Sequence, residues 1–279
     1  MAVRIITDTM CDVPNDMADR YNIRIMPLTV HFGSETFKDG IEISKEEFYS
    51  KLEVSDELPT TSQVPPIEFL EAFKEELDKG NEIICINGSS QMSGTYNSAI
   101  LAKNQLESDQ ICVIDSEGVT MGAGLLCIKA ARLAEQGLTS AEIEAEIRES
   151  VKRMKYFYIV DTLKYLHKGG RISLSASVLG SIFNIKPIIT IKAGKLEMVD
   201  KARGIKKALA TTFDIIKENG WTLENKVVGI NHTISPENFA LLEEYLTKHY
   251  QVKEIIRGEV GSVVATHAGP GAVAIYFEA

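Results

Sequence analysis

Two hydrophobic rhythms alternate along this chain. Short apolar runs bounded by polar residues recur, with amphipathic stretches at helical spacing between them. The runs Val3–Thr7, Ile23–Phe32, Ile83–Asn87 and Ile111–Asp115 are too short for helices and predict buried strands. A Ser44-Lys45-Glu46-Glu47 capping box opens a short helix reaching about Leu52. Ile67–Lys79 places Phe69, Leu70, Phe73 and Leu77 on one face and stops at Gly80. From Thr95, Tyr96, Ala99, Ile100 and Ala102 form the apolar face of another helix. Met121–Gln136, ended by Gly137, and Thr139–Lys155, opened by a Thr139/Glu142 capping box, complete the series. Strands alternating with helices at this spacing predict a mainly parallel sheet with helices on both faces.

Near Phe157 the rhythm changes. Phe157–Val160 reads as a strand, and Asp161–Lys168 as a helix stopped by Gly169-Gly170, a turn that throws Arg171 outward. Ser173–Ile185 reads as an apolar helix with small residues. Lys186–Lys192 and Lys195–Lys201 form a hairpin turning at Ala193-Gly194, and Arg203–Lys217 a helix with a basic start. Strands at Lys226–His232, Glu254–Val260 and Ala272–Glu278 follow, with a helix from Ser235-Pro236 to His249. The change sets a domain boundary: residues 1–157 form an N-terminal α/β domain and residues 158–279 a smaller C-terminal α/β domain. A ligand between two such domains is the ordinary arrangement.

The length of 279 residues suits two modest domains. A net charge of −9 argues against general nucleic-acid binding. No apolar run is long enough for a membrane span, and MAVRIITDT lacks the apolar core of a signal peptide, so a cytoplasmic protein is expected. Cys11, Cys85, Cys112 and Cys127 are widely spaced without CxxC, so neither a zinc site nor a disulfide framework is expected.

Candidate chemistry gathers in Glu82–Ala102, EIICINGSSQMSGTYNSAILA: a strand, a loop rich in glycine and hydroxyls, and a helix start. The unpaired N–H groups of a first helical turn suit an anion. No Lys or Arg lies between Lys79 and Lys103, so this is not a phosphate-binding P-loop; a carboxylate fits better. The competing reading is that Ser89, Ser90 and Ser93 cap the helix and satisfy the loop. Thr60-Thr61-Ser62, on a segment stiffened by Pro59, Pro65 and Pro66, is either a helix lead-in or a set of donors aimed at a ligand. At the first strand's end, Asp8 and Cys11 are candidate nucleophiles. The simpler reading is a loop that caps the next helix through Asp12 and Pro14. His267 reads as part of a tight Gly269-Pro270-Gly271 loop just before the terminal strand, either poised for a ligand or simply a satisfied turn histidine. Arg171, Arg203, Lys206 and Lys207 are basic positions in an acidic chain.

Seven segments, taken in order, resemble one family. They are Thr7–Asp12, Thr61-Ser62-Gln63, Ser90–Tyr96, Asp161-Thr162-Leu163 through Gly169–Ser173, Lys186-Pro187-Ile188, Arg203–Lys207 and Gly269–Ala272. The chain resembles the DegV family, including the fatty-acid-binding subunits (FakB-type) of bacterial fatty acid kinase. That resemblance implies a two-domain α/β protein holding one long-chain fatty acid between its domains. It places carboxylate binding on Thr61, Ser93 and His267, with Ser62 and the Gly94 N–H as helpers; a protonated His267 would help offset the cost of burying the carboxylate. It further implies no catalysis by this chain alone, no metal and no cofactor. A separate ATP-binding kinase subunit would form the acyl phosphate; the basic clustering of Arg171, Arg203, Lys206 and Lys207 in an acidic chain makes them candidates for docking it or for steering the new phosphate. The product would pass to phospholipid synthesis through transient contact with a membrane surface. The competing activity is a serine acyl hydrolase using Ser93 and His267. Against it stands the absence of Gly-x-Ser-x-Gly around Ser93, where position 91 is Gln.

Overall fold

The apolar run that opens the chain becomes the core strand of one of two units, Met1–Lys152 with Gly261–Val263, and Arg153–Val260 with Val264–Ala279. The computed structural model describes residues 2–55, 57–173 and 184–279. The expected helix Ser173–Ile185 falls largely outside the described residues.

The first unit holds β1 (Val3–Asp8), α1 (Asn15–Tyr21), β2 (Arg24–Met26), β3 (Thr29–Phe32), β4 (Glu35–Lys38) and α2 (Lys45–Val54). β5 (Thr60–Ser62), α3 (Pro66–Asp78), β6 (Glu82–Asn87), α4 (Thr95–Leu106), β7 (Ile111–Asp115), α5 (Thr120–Glu135) and α6 (Ser140–Arg153) follow. Its main sheet is parallel throughout, in the order β2-β1-β6-β7. Ile83, Ile84, Cys85 and Ile86 of β6 are all fully buried, as expected where helices cover both faces of a parallel sheet. Both capping boxes form: Ser44 Oγ accepts from Glu47 N, and Thr139 Oγ1 accepts from Glu142 N. α3 buries Phe69, Ala72 and Phe73, and also Glu76, whose carboxylate is held by Asn81, Lys79 and Arg4.

The run expected as one strand, Ile23–Phe32, is broken at Pro27, which has no N–H to give a ladder. Its first half is β2. Its second half is β3, the centre of a separate antiparallel sheet β4-β3-β5. β5 itself is a strand that the surrounding prolines concealed. Three residues pair with β3 before Pro65 and Pro66 take over.

The second unit holds β8 (Met154–Ile159), α7 (Lys164–Lys168), β9 (Ile185–Lys192), β10 (Lys195–Arg203), α8 (Ile205–Glu218) and β11 (Val227–His232). α9 (Pro236–His249), β12 (Glu254–Glu259), α10 (Ser262–Ala268) and β13 (Val273–Glu278) follow, with α10 starting in the first unit and ending here. Its sheet runs β10-β9-β8-β13-β11-β12 and is antiparallel except for β11 with β12. The β9–β10 hairpin turns at Ala193 and Gly194, both at positive φ, the turn that matches strand twist. One sheet face packs Phe157, Ile188, Ile230, Ile275 and Phe277 against Leu209, Phe213, Leu242 and Leu246 of α8 and α9. The alternate residues line the other face, where Tyr276 is fully buried and its hydroxyl donates to Asn231 Oδ1 at 2.9 Å.

Candidate functional site

In the parallel sheet of the first unit, β1, β6 and β7 all end on a polar residue: Asp8, Asn87 and Asp115. Asp8 Oδ1 accepts from Met10 N at 2.9 Å, and Oδ2 accepts from Asn87 Nδ2 at 3.0 Å and Gly88 N at 3.1 Å. Burial pushes its carboxyl up to about 6 against those bonds. A fully buried carboxyl with both oxygens engaged is a tether for the loop, which removes Asp8 as a nucleophile. Cys11 is equally unsuited. Its thiol is pushed far above the ordinary value by the bond with Cys127 and by burial.

The Gly88–Gly94 loop is pinned from both sides. Ser90 N donates to Asp115 Oδ1 at 3.2 Å, and Ser89 N donates to Gly118 O at 2.8 Å. Ser89 Oγ accepts from Gln91 N, so this buried serine shapes the loop. Ser93 Oγ accepts from Thr95 N at 3.3 Å and lies 3.0 Å from Thr95 Oγ1. Ser93, just before the N-cap Gly94, thus serves the first helical N–H, although the N-cap itself has no side-chain cap. This does not exclude ligand binding, because a hydroxyl that accepts still has its proton to donate. Gly94 follows at the N-cap of α4, a twelve-residue helix with its positive dipole end at this turn.

Thr61 and Ser62 lie on β5, where successive side chains take opposite faces. Thr61 is paired with the buried Val30. Ser62 lies on the other face, with its Oγ 2.7 Å from His31 Nε2, while His31 Nδ1 is 3.1 Å from Thr36 Oγ1. Sequence reasoning missed His31 and gave no role to Gln63, the residue after Ser62. The Gln63 amide reaches α4, where Nε2 donates to Ser98 Oγ at 2.9 Å. A Cβ on Gly94 would overlap Gln63 Oε1. The structure thus brings the Thr61–Gln63 strand end and the Ser93–Gly94 turn together within one unit. The available signals were its place in the Thr61-Ser62-Gln63 segment and its adjacency to two hydroxyls.

In the second unit, His267 stands in the last turn of α10 and not in the Gly-Pro-Gly loop that follows. A Cβ on Gly169 would overlap its Nδ1, so the imidazole lies directly on the backbone at the end of α7. Gly170 takes the left-handed conformation expected of it, with φ 71°. Arg171 is not thrown outward: Nη1 turns back to donate to Gly169 O at 2.5 Å, and the side chain is half-buried. Burial and the Arg171 charge push His267 down to about 4. With no anion beside it, the imidazole is therefore held toward its neutral form, and the protonated His267 expected beside a bound carboxylate remains a proposal. Arg203, Lys206 and Lys207 are exposed together at the β10–α8 junction. Two lysines in the first turn of α8 oppose the helix dipole, so the local fold gains nothing from them there.

Asp12 departs from the helix-capping role expected of it. α1 has no side-chain cap. Asp12 Oδ1 instead accepts from Gly261 N at 2.8 Å, and Asp39 Oδ1 accepts from Ser262 N at 3.2 Å. Burial pushes Asp12 up to about 7 and raises Asp39. Among the described residues, no group of three or more His, Cys, Asp or Glu side chains is placed to hold a metal ion. No helix there is long and apolar enough to cross a membrane.

The family model described as "Uncharacterised protein, DegV family" matches residues 2–279. The chain belongs to the DegV family. A DegV domain-containing protein of Caldanaerobacter subterraneus subsp. tengcongensis is 39% identical over 276 residues, covering 99% of this chain and 98% of that one. A solved DegV family structure from Thermus thermophilus, described by its fatty acid binding, superposes with a TM-score of 0.92 at 29% identity over 100% of both chains. DegV of Bacillus subtilis, described as a fatty acid binding protein, gives a TM-score of 0.86 at 31% identity, again over 100% of both chains. DegV membership and the α/β architecture agree with the resemblance read from the seven motifs.

Proposed function

We propose that this protein binds one long-chain fatty acid and presents its carboxylate to a separate ATP-binding kinase subunit, which forms the acyl phosphate. The product then passes toward phospholipid synthesis through transient contact with a membrane surface. Full-length similarity to DegV structures described as fatty acid binding is the observation that carries the binding step. The donor set proposed for the carboxylate is Thr61, Ser93 and the Gly94 N–H, with His267 as the further group that the family resemblance assigns. Ser62 would support the same strand end through His31.

The energetics favour a long tail. Each buried methylene is worth roughly 0.8 kcal/mol, so a long acyl chain supplies on the order of 10 kcal/mol before binding costs. An unpaired buried carboxylate would forfeit several kcal/mol of that. Two hydroxyls and a helix N-terminus offset the cost by charge-assisted hydrogen bonds. A neutral His267 can also contribute, either as a donor or by taking up a proton when an anion arrives and opposes the Arg171 charge.

Arg203, Lys206 and Lys207 are the proposed docking edge for the kinase subunit, and Arg171, whose charge acts on His267, is a further candidate there. Reconstitution with fatty acid, ATP and the kinase subunit tests this. Arg203→Glu should impair acyl phosphate formation and leave fatty acid binding intact; loss of both, or of neither, would contradict the docking role. A fluorophosphonate probe separates the carrier from the serine hydrolase reading. No labelling of Ser93 is expected, and labelling there would favour the hydrolase.

A further inference from the structure

Thr61 and Ser93 lie on different elements, and a carboxylate served by both requires those elements to keep a fixed distance. β5 is poorly equipped to do so alone. It is three residues long, pairs with β3 alone among the described residues, and runs into Val64 and two prolines. The side chain that ties it across is Gln63. Its Nε2 donates to the fully buried Ser98, one turn into α4, whose own N–H bonds to Gly94 O at 3.0 Å. Its amide rests on the Gly94 α-carbon: a Cβ there would stand 2.7 Å from Gln63 Cδ and overlap Oε1. Gly94 has φ −77°, a conformation open to any residue, so it is this contact and not the backbone that calls for glycine.

We propose that Gln63 is a positioning residue that couples the Thr61 strand end to the Ser93–Gly94 turn, setting the spacing of the carboxylate donors. The inference deepens the fatty acid reading and rests on it. Charge-assisted hydrogen bonds fall away steeply with misplacement, and a first shell held by a second shell keeps its geometry. Gln63 therefore acts on the acid head group and leaves the apolar tail's contribution alone.

The test uses the full chain with two soluble probes, dodecanoic acid and dodecan-1-ol, which share a tail and differ in head-group charge. Gln63→Ala should weaken binding of the acid about tenfold, the loss expected for one hydrogen bond's worth of ordering, while the alcohol changes less than about twofold. Ser98→Ala should reproduce the effect, and the double variant should add little to either single one. Unchanged binding of the acid by Gln63→Ala overturns the proposal, as does an equal loss for acid and alcohol, which would mark a general packing role. If the wild type binds neither probe, the fatty acid reading itself fails. Amide exchange at Gly94 and Thr95 in the unliganded protein then decides the coupling: faster exchange in Gln63→Ala supports it, and unchanged exchange overturns it.

Discussion

Acid should destabilise the second unit through His267, by an amount that its surroundings set. Burial first, and the Arg171 charge second, push the imidazole from 6.5 down to about 4. Below pH 6.5 the unfolded chain takes up a proton that the folded chain resists. The stability associated with the neutral imidazole is thus complete above that pH and is lost as pH falls toward 4. The full interval corresponds to roughly 3 kcal/mol at ~1.36 kcal/mol per pH unit. Between pH 7.5 and 5.0 the two titration curves account for about 2 kcal/mol. Trp221, the single tryptophan, packs near Phe157 and Phe277 and so reports on this unit. Urea unfolding followed by its fluorescence should show the wild type losing about 2 kcal/mol more than His267→Gln over that pH range. Arg171→Gln, which removes the second cause, should shrink the loss. Equal pH dependence in wild type and His267→Gln, within about 0.5 kcal/mol, would refute the reasoning.

Gly94→Ala should fold, since its backbone conformation suits alanine, yet it should weaken fatty acid binding about tenfold or more by displacing Gln63; equal dissociation constants would contradict this. Asp12→Asn should stabilise the protein at pH 8 by an amount on the order of 1–3 kcal/mol. The raised carboxyl contributes most below pH 3.8 and becomes a penalty as pH rises through about 7, whereas asparagine keeps the acceptor for Gly261 N and tolerates φ 44°. Chemical denaturation at pH 8 measures the difference, and a loss of stability would count against that account. A thiol reagent at pH 8 should modify the partly exposed Cys112 first, with Cys11, Cys85 and Cys127 protected until unfolding, and prompt reaction at Cys11 would contradict its buried placement.

Periodicity carried most of the long elements. The parallel strands, the amphipathic helices and the β9–β10 hairpin were legible because each satisfies its own local rule: an apolar run, a capping box, or a turn with two residues at positive φ. What stayed hidden depends on partners distant in sequence. β5 is a strand only because β3 lies beside it, and β2 and β3 look like one run although they serve two sheets. α10 is short, and the glycines after it drew His267 into the loop reading. Asp12 reads as a cap until Gly261, 249 residues later, supplies its N–H. The hydroxyls at 61 and 93 were visible as candidates, but composition cannot show that Gln63 joins them, or that Arg171 folds back toward His267. The pKa of His267 was out of reach for the same reason, since it is a property of packing.

The claim that this chain carries a fatty acid is tested most directly by native mass spectrometry of the purified protein, followed by denaturing extraction and identification of the lipid. The account predicts about one long-chain fatty acid per wild-type chain, and a marked loss of occupancy in Ser93→Ala. A wild-type protein that emerges empty and fails to take up added fatty acid would contradict it.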